Sequence, residues 1–492
     1  MASSILCKQN RWGAAHFLTL YVVLHPFIDM LTYFGVQAQM LFTAGNILRT
    51  LFLAGACLYI LFCGPFPGRR PLLLWLGVLT LYLIAFSALN FSEGGLPVLV
   101  RNGLESVKTF YFPYMAAFLY ALYQKERFVL PDWALAVAGA GYCVVVLLAF
   151  LTNTSYISYN AGYGYCGWFF SANDVSAMIL LTAPLLVYLC LTHVAMKSRP
   201  WVLAGAALAL LSLVFSAAFI GTKLLYLGVF LYILLALAWM VVRYLRRREK
   251  LVLRCVAVLL VCCAGLVAIY PVSPLNHYIT DIYTPMSGDD PDALRASLEI
   301  PGVVEKDRAK AYAEYEMAAE GTWLRQQMDT HRLLKRADWL LSKRLTMLAP
   351  ILQEYMGAHT GRRLLGLGYV NLDAYEKDIE HMIEMEGPAL WLRHGVIGFA
   401  LYYIPFLGAS VYLIVRFFRL FRHNIQDLRT CSLLYAVCVL FTASMLIGHI
   451  LVPPCTGLVA ALLYEKLLVP QPPACKWLCP ADSKGQGGAP AL

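Results

Sequence analysis

Polar surface is what this sequence has least of. Only 14% of its 492 residues are charged while 60% are hydrophobic, and its mean hydropathy of +0.64 lies far above that of a soluble domain. A soluble protein of this length would bury a large core and still need a polar exterior, which most of the chain does not offer. The scarcity of charge therefore excludes a soluble globular fold and makes a bilayer the natural solvent. A disulfide framework is missing too: of the 14 cysteines, most lie inside apolar runs (Cys57, Cys143, Cys190, Cys262, Cys263, Cys438), where Cys behaves as a small apolar residue. Cys475 and Cys479 form an isolated pair, too little to specify a metal site. No internal repeat is visible, so the inverted-repeat pattern of many secondary transporters is absent. A net charge of +10 would suit a nucleic-acid partner, but the Lys and Arg residues fall in short clusters between apolar runs rather than along one face. The first apolar run lacks a small-residue cleavage site and is expected to be a membrane span, not a signal peptide.

What the chain does have is apolar runs of membrane length. A span needs about 20 apolar residues. Runs of that order recur at 13–35, 45–64, 72–90, 109–123, 131–152, 172–194, 200–220, 223–242, 251–271, 388–415, 430–452 and 455–470, which predicts about twelve transmembrane helices. With the N-terminus in the cytoplasm, Arg69/Arg70, Lys125/Arg127, Lys197/Arg199, Arg246/Arg247/Arg248/Lys250 and Arg416/Arg419/Arg422 all fall on the inner side. One orientation thus satisfies every basic cluster and puts both termini inside. It places 91–108, 153–171, the Gly221-Thr222-Lys223 turn and the whole of 272–387 outside. The expected fold is all-α, with helices 1–9 in 1–271, a long extracytoplasmic segment at 272–387, helices 10–12 in 388–470 and a disordered Pro-, Gly- and Ala-rich tail at 471–492.

The outer segment begins with Asp289, Asp290 and Asp292 in a turn-like stretch and then reads as helix from about 303 to 356. Trp323, Leu324, Met328, Leu333, Leu334, Trp339 and Leu340 recur at helical spacing, the pattern of a small amphipathic cap. Cations at the outer ends of spans violate the positive-inside trend and are costly unless a partner or a wet cavity compensates. Arg101, Lys108, Lys223, Arg344, Arg362, Arg363 and Arg393 are such residues, and they could line one outward-facing basic cavity; snorkelling to lipid headgroups or pairing with acids of the cap is the plainer alternative. Lys223 is the most informative, because the turn it occupies offers almost no soluble loop. A glycine-rich stretch from Gly162 to Gly167 leads into Trp168, Phe169, Phe170 and Asn173, an amide at the mouth of a span that needs a hydrogen-bond partner. A second cluster runs from Gly366-Leu367-Gly368-Tyr369 through His381, Glu384 and Glu386 to Arg393-His394-Gly395 and Gly398; the last two glycines permit close helix packing.

Four stretches carry a resemblance. Gly167-Trp-Phe-Phe-Ser-Ala-Asn173 resembles a Gly-x-Phe-x-x-x-Asn segment, and Gly221-Thr222-Lys223 sits where a Ser-Arg or Thr-Lys pair is expected. Leu341-Ser342-Lys343-Arg344, followed by Leu365-Gly366-Leu367-Gly368-Tyr369, is similar to the Ser-Gly-Arg stretch of an outer loop. Glu384-Met385, nine residues, Gly395 and Gly398 meet the spacing of a His-(Asn/Ser/Gln)-x9-Gly-x-x-(Gly/Thr/Tyr) motif, with Glu in place of His. Together, over roughly 70–450, they resemble the superfamily of O-antigen ligases and Wzy-type O-antigen polymerases, whose fold is a GT-C-like polytopic helix bundle with one long outer loop. The Glu departs from the ligase pattern and is what polymerase-like or Gram-positive members would carry.

The resemblance implies a bacterial inner-membrane glycosyltransferase that takes a glycan from an undecaprenyl-diphosphate carrier on the outer face and joins it to a glycan or lipid-linked acceptor, with no metal or other cofactor and no nucleic acid. Membrane lipids, and flippase and chain-length regulator proteins, are the further partners it suggests. Such a transfer needs cations on the diphosphate leaving group and a base for the acceptor proton. Lys223 and Arg344 are expected on the diphosphate and Glu384 as base. Arg101, Lys108, Asn173, Arg363, His381 and Arg393 are expected to bind the diphosphate or glycan. The rival reading from another class is a polysaccharide or lipid flippase, which would also use a basic cavity but predicts no large outer segment; a non-catalytic envelope scaffold is a third.

Overall fold

The computed structural model describes residues 13–40, 42–157, 164–248, 250–277, 279–280, 319–341, 344–369, 385–446, 448 and 450–469. Among these the chain is helical, with a single isolated antiparallel bridge between Ile157 and Tyr165. In order the helices are α1 (Ala14–Val23), α2 (His25–Gln37), α3 (Ala44–Phe62), α4 (Arg69–Thr109), α5 (Tyr111–Glu126), α6 (Asp132–Leu151), α7 (Ala172–Ala195), α8 (Pro200–Phe219), α9 (Lys223–Arg247) and α10 (Lys250–Ile269). Then come α11 (Trp323–Thr330), α12 (Arg332–Leu340), α13 (Arg344–Gly357), α14 (Thr360–Leu365), α15 (Glu386–Arg419), α16 (Leu428–Leu446) and α17 (Pro454–Leu468), apart from three single-turn pieces.

Local chemistry sets several of these boundaries. Thr43 and Ser171 cap α3 and α7, each hydroxyl accepting an N–H of the first turn at 3.3 Å. Pro200 and Pro454 open α8 and α17, where their missing N–H costs nothing. Glycine breaks two long runs: Gly95 (φ 70°) bends α4 after its membrane-length part, and Gly395 (φ 63°) separates a first half-helix of α15 from the rest. α1 and α2 meet at 58° around Leu24.

Nine helical stretches among the described residues are long and apolar enough to cross a membrane, and the bent α1–α2 pair makes a tenth. The sequence leads to twelve, and a helix does stand at each of the twelve apolar runs. The shortfall lies in α5 and α17, of 16 and 15 residues, which at about 1.5 Å per residue fall short of a hydrocarbon layer of about 30 Å. Apolar composition reveals a helix but does not fix its length.

Nearly every residue of α7 is buried, so α7 is the axis around which the bundle is built; α3, α10 and the first part of α4 leave most of their apolar side chains exposed, as lipid-facing helices do. Small residues let neighbours approach that axis, Gly139 of α6 against Thr182 and Gly228 of α9 against Leu180. The described part of the expected cap helix is interrupted at His331, where φ −115° and ψ 104° end α11. Met328 is buried, whereas Trp323 and Leu333 are exposed, so the amphipathic pattern is only partly used. α13 buries Leu348, Ile351 and Tyr355 against Leu367, Ala389 and Leu392, which seats the cap helices on the first half of α15. This end of the bundle is called the cap end below. At the far end lie the basic clusters after α3, α5 and α15, where Tyr59 meets Glu126 and Arg416 meets the C-terminus of α17.

Candidate active site at the cap end

Two units of backbone shape the cap end. In the first, Leu365–Tyr369 lies directly on the break in α15: Leu367 N–H donates to Leu392 O at 2.9 Å and Gly368 N–H to Arg393 O at 3.0 Å. A Cβ on Gly366 would stand 2.0 Å from Arg393 O, and one on Gly395 2.4 Å from Leu364 O, so this backbone contact requires glycine on both sides. Around it His394 is fully buried, with Tyr82 Oη 3.1 Å from Nδ1 and Tyr369 Oη 2.9 Å from Nε2. Tyr369 also meets Thr109 at 2.6 Å, and its N–H donates to Asn102 Oδ1 at 2.8 Å. Burial pushes the Tyr369 hydroxyl up to about 12, against the opposing pull of Arg393, so it stays protonated and can bond both neighbours. Arg393 stacks over the Tyr369 ring at 4.9 Å.

The second unit is the segment before α7. Cys166 N–H donates to Tyr156 O at 2.9 Å and Tyr156 N–H to Gly167 O at 2.8 Å beside the Ile157–Tyr165 bridge, and Tyr165 N–H donates to Phe219 O at 2.9 Å, tying the segment to the end of α8. Gly167 (φ 71°) turns the chain so that Phe169 buries against Tyr142, with ring centroids 5.0 Å apart, while Phe170 remains half exposed.

Between these units and α2, α3 and α17 is a chamber of ≈ 460 Å³, within the range of about 300–1,000 Å³ usual for small-ligand sites. Its walls include Arg393 and Lys108, but also Asp29, Arg49, Asp174 and Glu386. Lys108 is exposed and paired with Glu105 at 2.6 Å. Glu386, at the start of α15, accepts N–H bonds from Ile450, Leu451 and Val452 at 2.6–2.9 Å and so fastens the turn between α16 and α17. Asp29 is bonded to Arg49 and to the Tyr142 hydroxyl. Among the described residues no group of three or more His, Cys, Asp or Glu side chains is placed to hold a metal ion.

The sequence-derived candidates divide among several places. Lys223 and Arg344 are both half-buried and near enough for the like charge of Arg344 to act on the Lys223 ammonium. Neither lines the chamber, but Thr222 bonds Ser176 at 2.6 Å, one residue past the chamber-lining Val175. Arg101 is exposed on the outer part of α4, away from the chamber wall. Asn173 sits half-buried in the first turn of α7, and its neighbour Asp174 is the one that reaches the wall. Arg363 is occupied at the end of α13, donating to Ala358 O at 2.8 Å and Met356 O at 2.5 Å. Its neighbour Arg362 is the buried one, bonded to Asn90 Oδ1 at 2.9 Å and to the carbonyls of Gly366 and Leu367. Glu384 and His381 lie outside the described residues, as do Ser342 and Lys343. Sequence reasoning passed over Asp29, Arg49 and Asp174. Charge within apolar runs was the available signal.

A family model described as O-antigen ligase like membrane protein matches residues 13–471, nearly the whole chain. The chain belongs to the O-antigen ligase-like membrane proteins. No curated protein and no solved structure matches it. Membership gives this O-antigen ligase-like protein a glycosyltransferase-like role in cell-surface polysaccharide synthesis, acting as a membrane enzyme on lipid-linked glycans.

Proposed function

We propose that the protein transfers or polymerises an undecaprenyl-diphosphate-linked oligosaccharide, with the reaction at the cap end, on the outer face of the cytoplasmic membrane. The observation that carries this reading is the chamber of ligand size at the cap end, with Arg393 and Lys108 in its wall, together with a second pair of cations, Lys223 and Arg344, near enough for their charges to act on each other. A diphosphate leaving group develops negative charge that such a pair of cations suits. Arg344 grips phosphate oxygens in a fork and Lys223 acts as a point charge. Glu384 is the proposed base for the acceptor hydroxyl, on the strength of its place in the motif that ends at Gly395 and Gly398. Arg393 and Lys108, both in the chamber wall, are proposed glycan contacts; Arg363 is not, because backbone carbonyls occupy it.

The test is transfer from a purified undecaprenyl-diphosphate oligosaccharide to an acceptor glycan by the protein in detergent. Glu384→Gln and Lys223→Ala should each abolish product while the protein still inserts and elutes as a single species. Full activity in both would overturn the assignment. Cells lacking the gene separate the two modes: unpolymerised units indicate a polymerase and long carrier-bound chains a ligase. Movement of the intact donor across vesicles without glycan transfer would favour a flippase.

A further inference from the structure

The chamber at the cap end contains a polar group that the diphosphate chemistry does not use. Gly45 lets α3 cross α2 closely, since a Cβ there would stand 2.0 Å from Thr32 Oγ1. One turn on, Arg49 shares the face of Gly45 and meets Asp29 of α2. The two side chains keep 10% and 13% of their exposure and form part of the chamber wall. Arg49 Nη1 also donates to Thr32 Oγ1 and Asn46 Oδ1, both at 3.2 Å, and Tyr142 donates to the other oxygen of Asp29. The Arg49 Nε–H has no hydrogen-bond partner among the described residues, and each Asp29 oxygen retains a lone pair. Both ends of this pair can therefore bond a hydroxyl, which donates and accepts at once.

The charge balance of the wall points the same way. Asp29 offsets Arg49, Glu105 offsets Lys108, and three backbone N–H groups hold the Glu386 charge. Asp174 and Arg393 add one charge of each sign, so the lining holds four carboxylates and three cations. A wall without net positive charge gives no net attraction to a diphosphate, whereas Lys223 and Arg344 lie elsewhere. Half-exposed Phe170 adds an apolar face to the same wall.

We propose that the chamber is a glycan subsite that takes an uncharged sugar unit, its hydroxyls bonded to the Asp29–Arg49 pair and its apolar ring face on Phe170. This rests on the glycosyl-transfer reading and assigns the sugar and the diphosphate to separate places. A site built to bond a hydroxyl discriminates strongly against an analogue lacking it, so the pair is a specificity determinant and not a catalytic group.

The test is equilibrium binding to the purified full-length protein, using a panel of neutral methyl hexosides, a methyl hexuronate and inorganic pyrophosphate as probes. At least one neutral hexoside should bind and be weakened about tenfold or more by Asp29→Asn with Arg49→Gln, the loss of a hydrogen bond to a charged group, while pyrophosphate binding holds. Lys223→Ala should do the reverse. Should the double variant fail to fold, Phe170→Ala reads the same subsite and should weaken the hexoside alone. Absence of hexoside binding, preference for the hexuronate, or loss of pyrophosphate binding in the chamber variants would overturn the subsite and leave the proposed transfer standing. Loss of transfer with hexoside binding retained in Lys223→Ala supports both; transfer unaffected by Lys223→Ala and Glu384→Gln removes the function assignment, whatever the hexosides do.

Discussion

The two ends of the bundle both bury charge, and they do so for different ends. At the far end Asp132 accepts from Arg429 Nη2 at 2.9 Å and from Lys466 Nζ at 2.8 Å, and Lys466 also donates to Leu130 O. Lys466 and Arg429 are almost inaccessible, and neither lines the chamber at the other end. This cluster ties α6, α16 and α17 together. At the cap end Asp29 and Arg49 are paired as closely, yet they face ≈ 460 Å³ of open chamber. A buried ion pair that borders open volume is a candidate site, and one that joins packed helices is a fastening.

The largest effect should come from breaking the fastening. Asp132→Ala leaves Arg429 and Lys466 buried without their acid, a loss of about 3–5 kcal/mol. A steep fall in folded yield and in the thermal midpoint in detergent should follow. Asp29→Asn should cost clearly less, because the chamber admits water to Arg49. Equal destabilisation by the two variants would erase the distinction between the ends.

The next effect separates chemistry from stability. Lys223→Ala should reduce transfer by about 10²–10³-fold, the usual consequence of removing one preorganised charge from a developing anion. Its folding stability should change by no more than about 0.5 kcal/mol. A large stability loss with proportionate loss of transfer would make Lys223 a packing residue.

Glycine at the break in α15 comes third. Gly366→Ala combines φ 104° with a Cβ 2.0 Å from Arg393 O, and strain of this kind costs about 1–3 kcal/mol before the contact is relieved. Hydrogen exchange should rise over Leu365–Tyr369 and the first half of α15 together. Gly357→Ala is the control: nothing lies within 4 Å of that Cβ, and stability should hold or rise by about 0.4–1 kcal/mol. If both alanines behave alike, the close backbone contact is not limiting.

How much of this was legible beforehand follows from what sequence encodes locally. Apolar length gave a helix at each run, because burial in lipid depends on composition, but α5 ends at the left-handed Arg127 and α17 begins only after Pro453, so both fall short of membrane length. The glycines of Leu365–Tyr369 and Gly395 were visible as motifs. Their mutual contact was not, since the bonded pairs, Leu367 with Leu392 and Gly368 with Arg393, are far apart in sequence and no local rule pairs them. Arg362 and Arg363 are adjacent and chemically alike; only the turn of α14 decides that Arg362 enters and Arg363 caps α13. Asp29 and Arg49 each look like a lone charge near a helix end until α2 and α3 cross at Gly45.

The smallest effect tests the comparison from its other side. Lys108 is in the chamber wall, but its side chain keeps 48% exposure and its partner Glu105 lies only three residues away on the same helix. Solvent screens such a pair, which contributes about 0–1 kcal/mol, so Lys108→Ala should leave the thermal midpoint almost unchanged. If charge matters at the cap end because of the chamber and not because of burial, the same variant should still shift hexoside affinity by a few-fold, through Glu105 released beside the sugar. The shift should shrink as salt is raised, since an exposed charge acts across water. Affinity and stability that both ignore Lys108 would confine the working wall to the Asp29–Arg49 side.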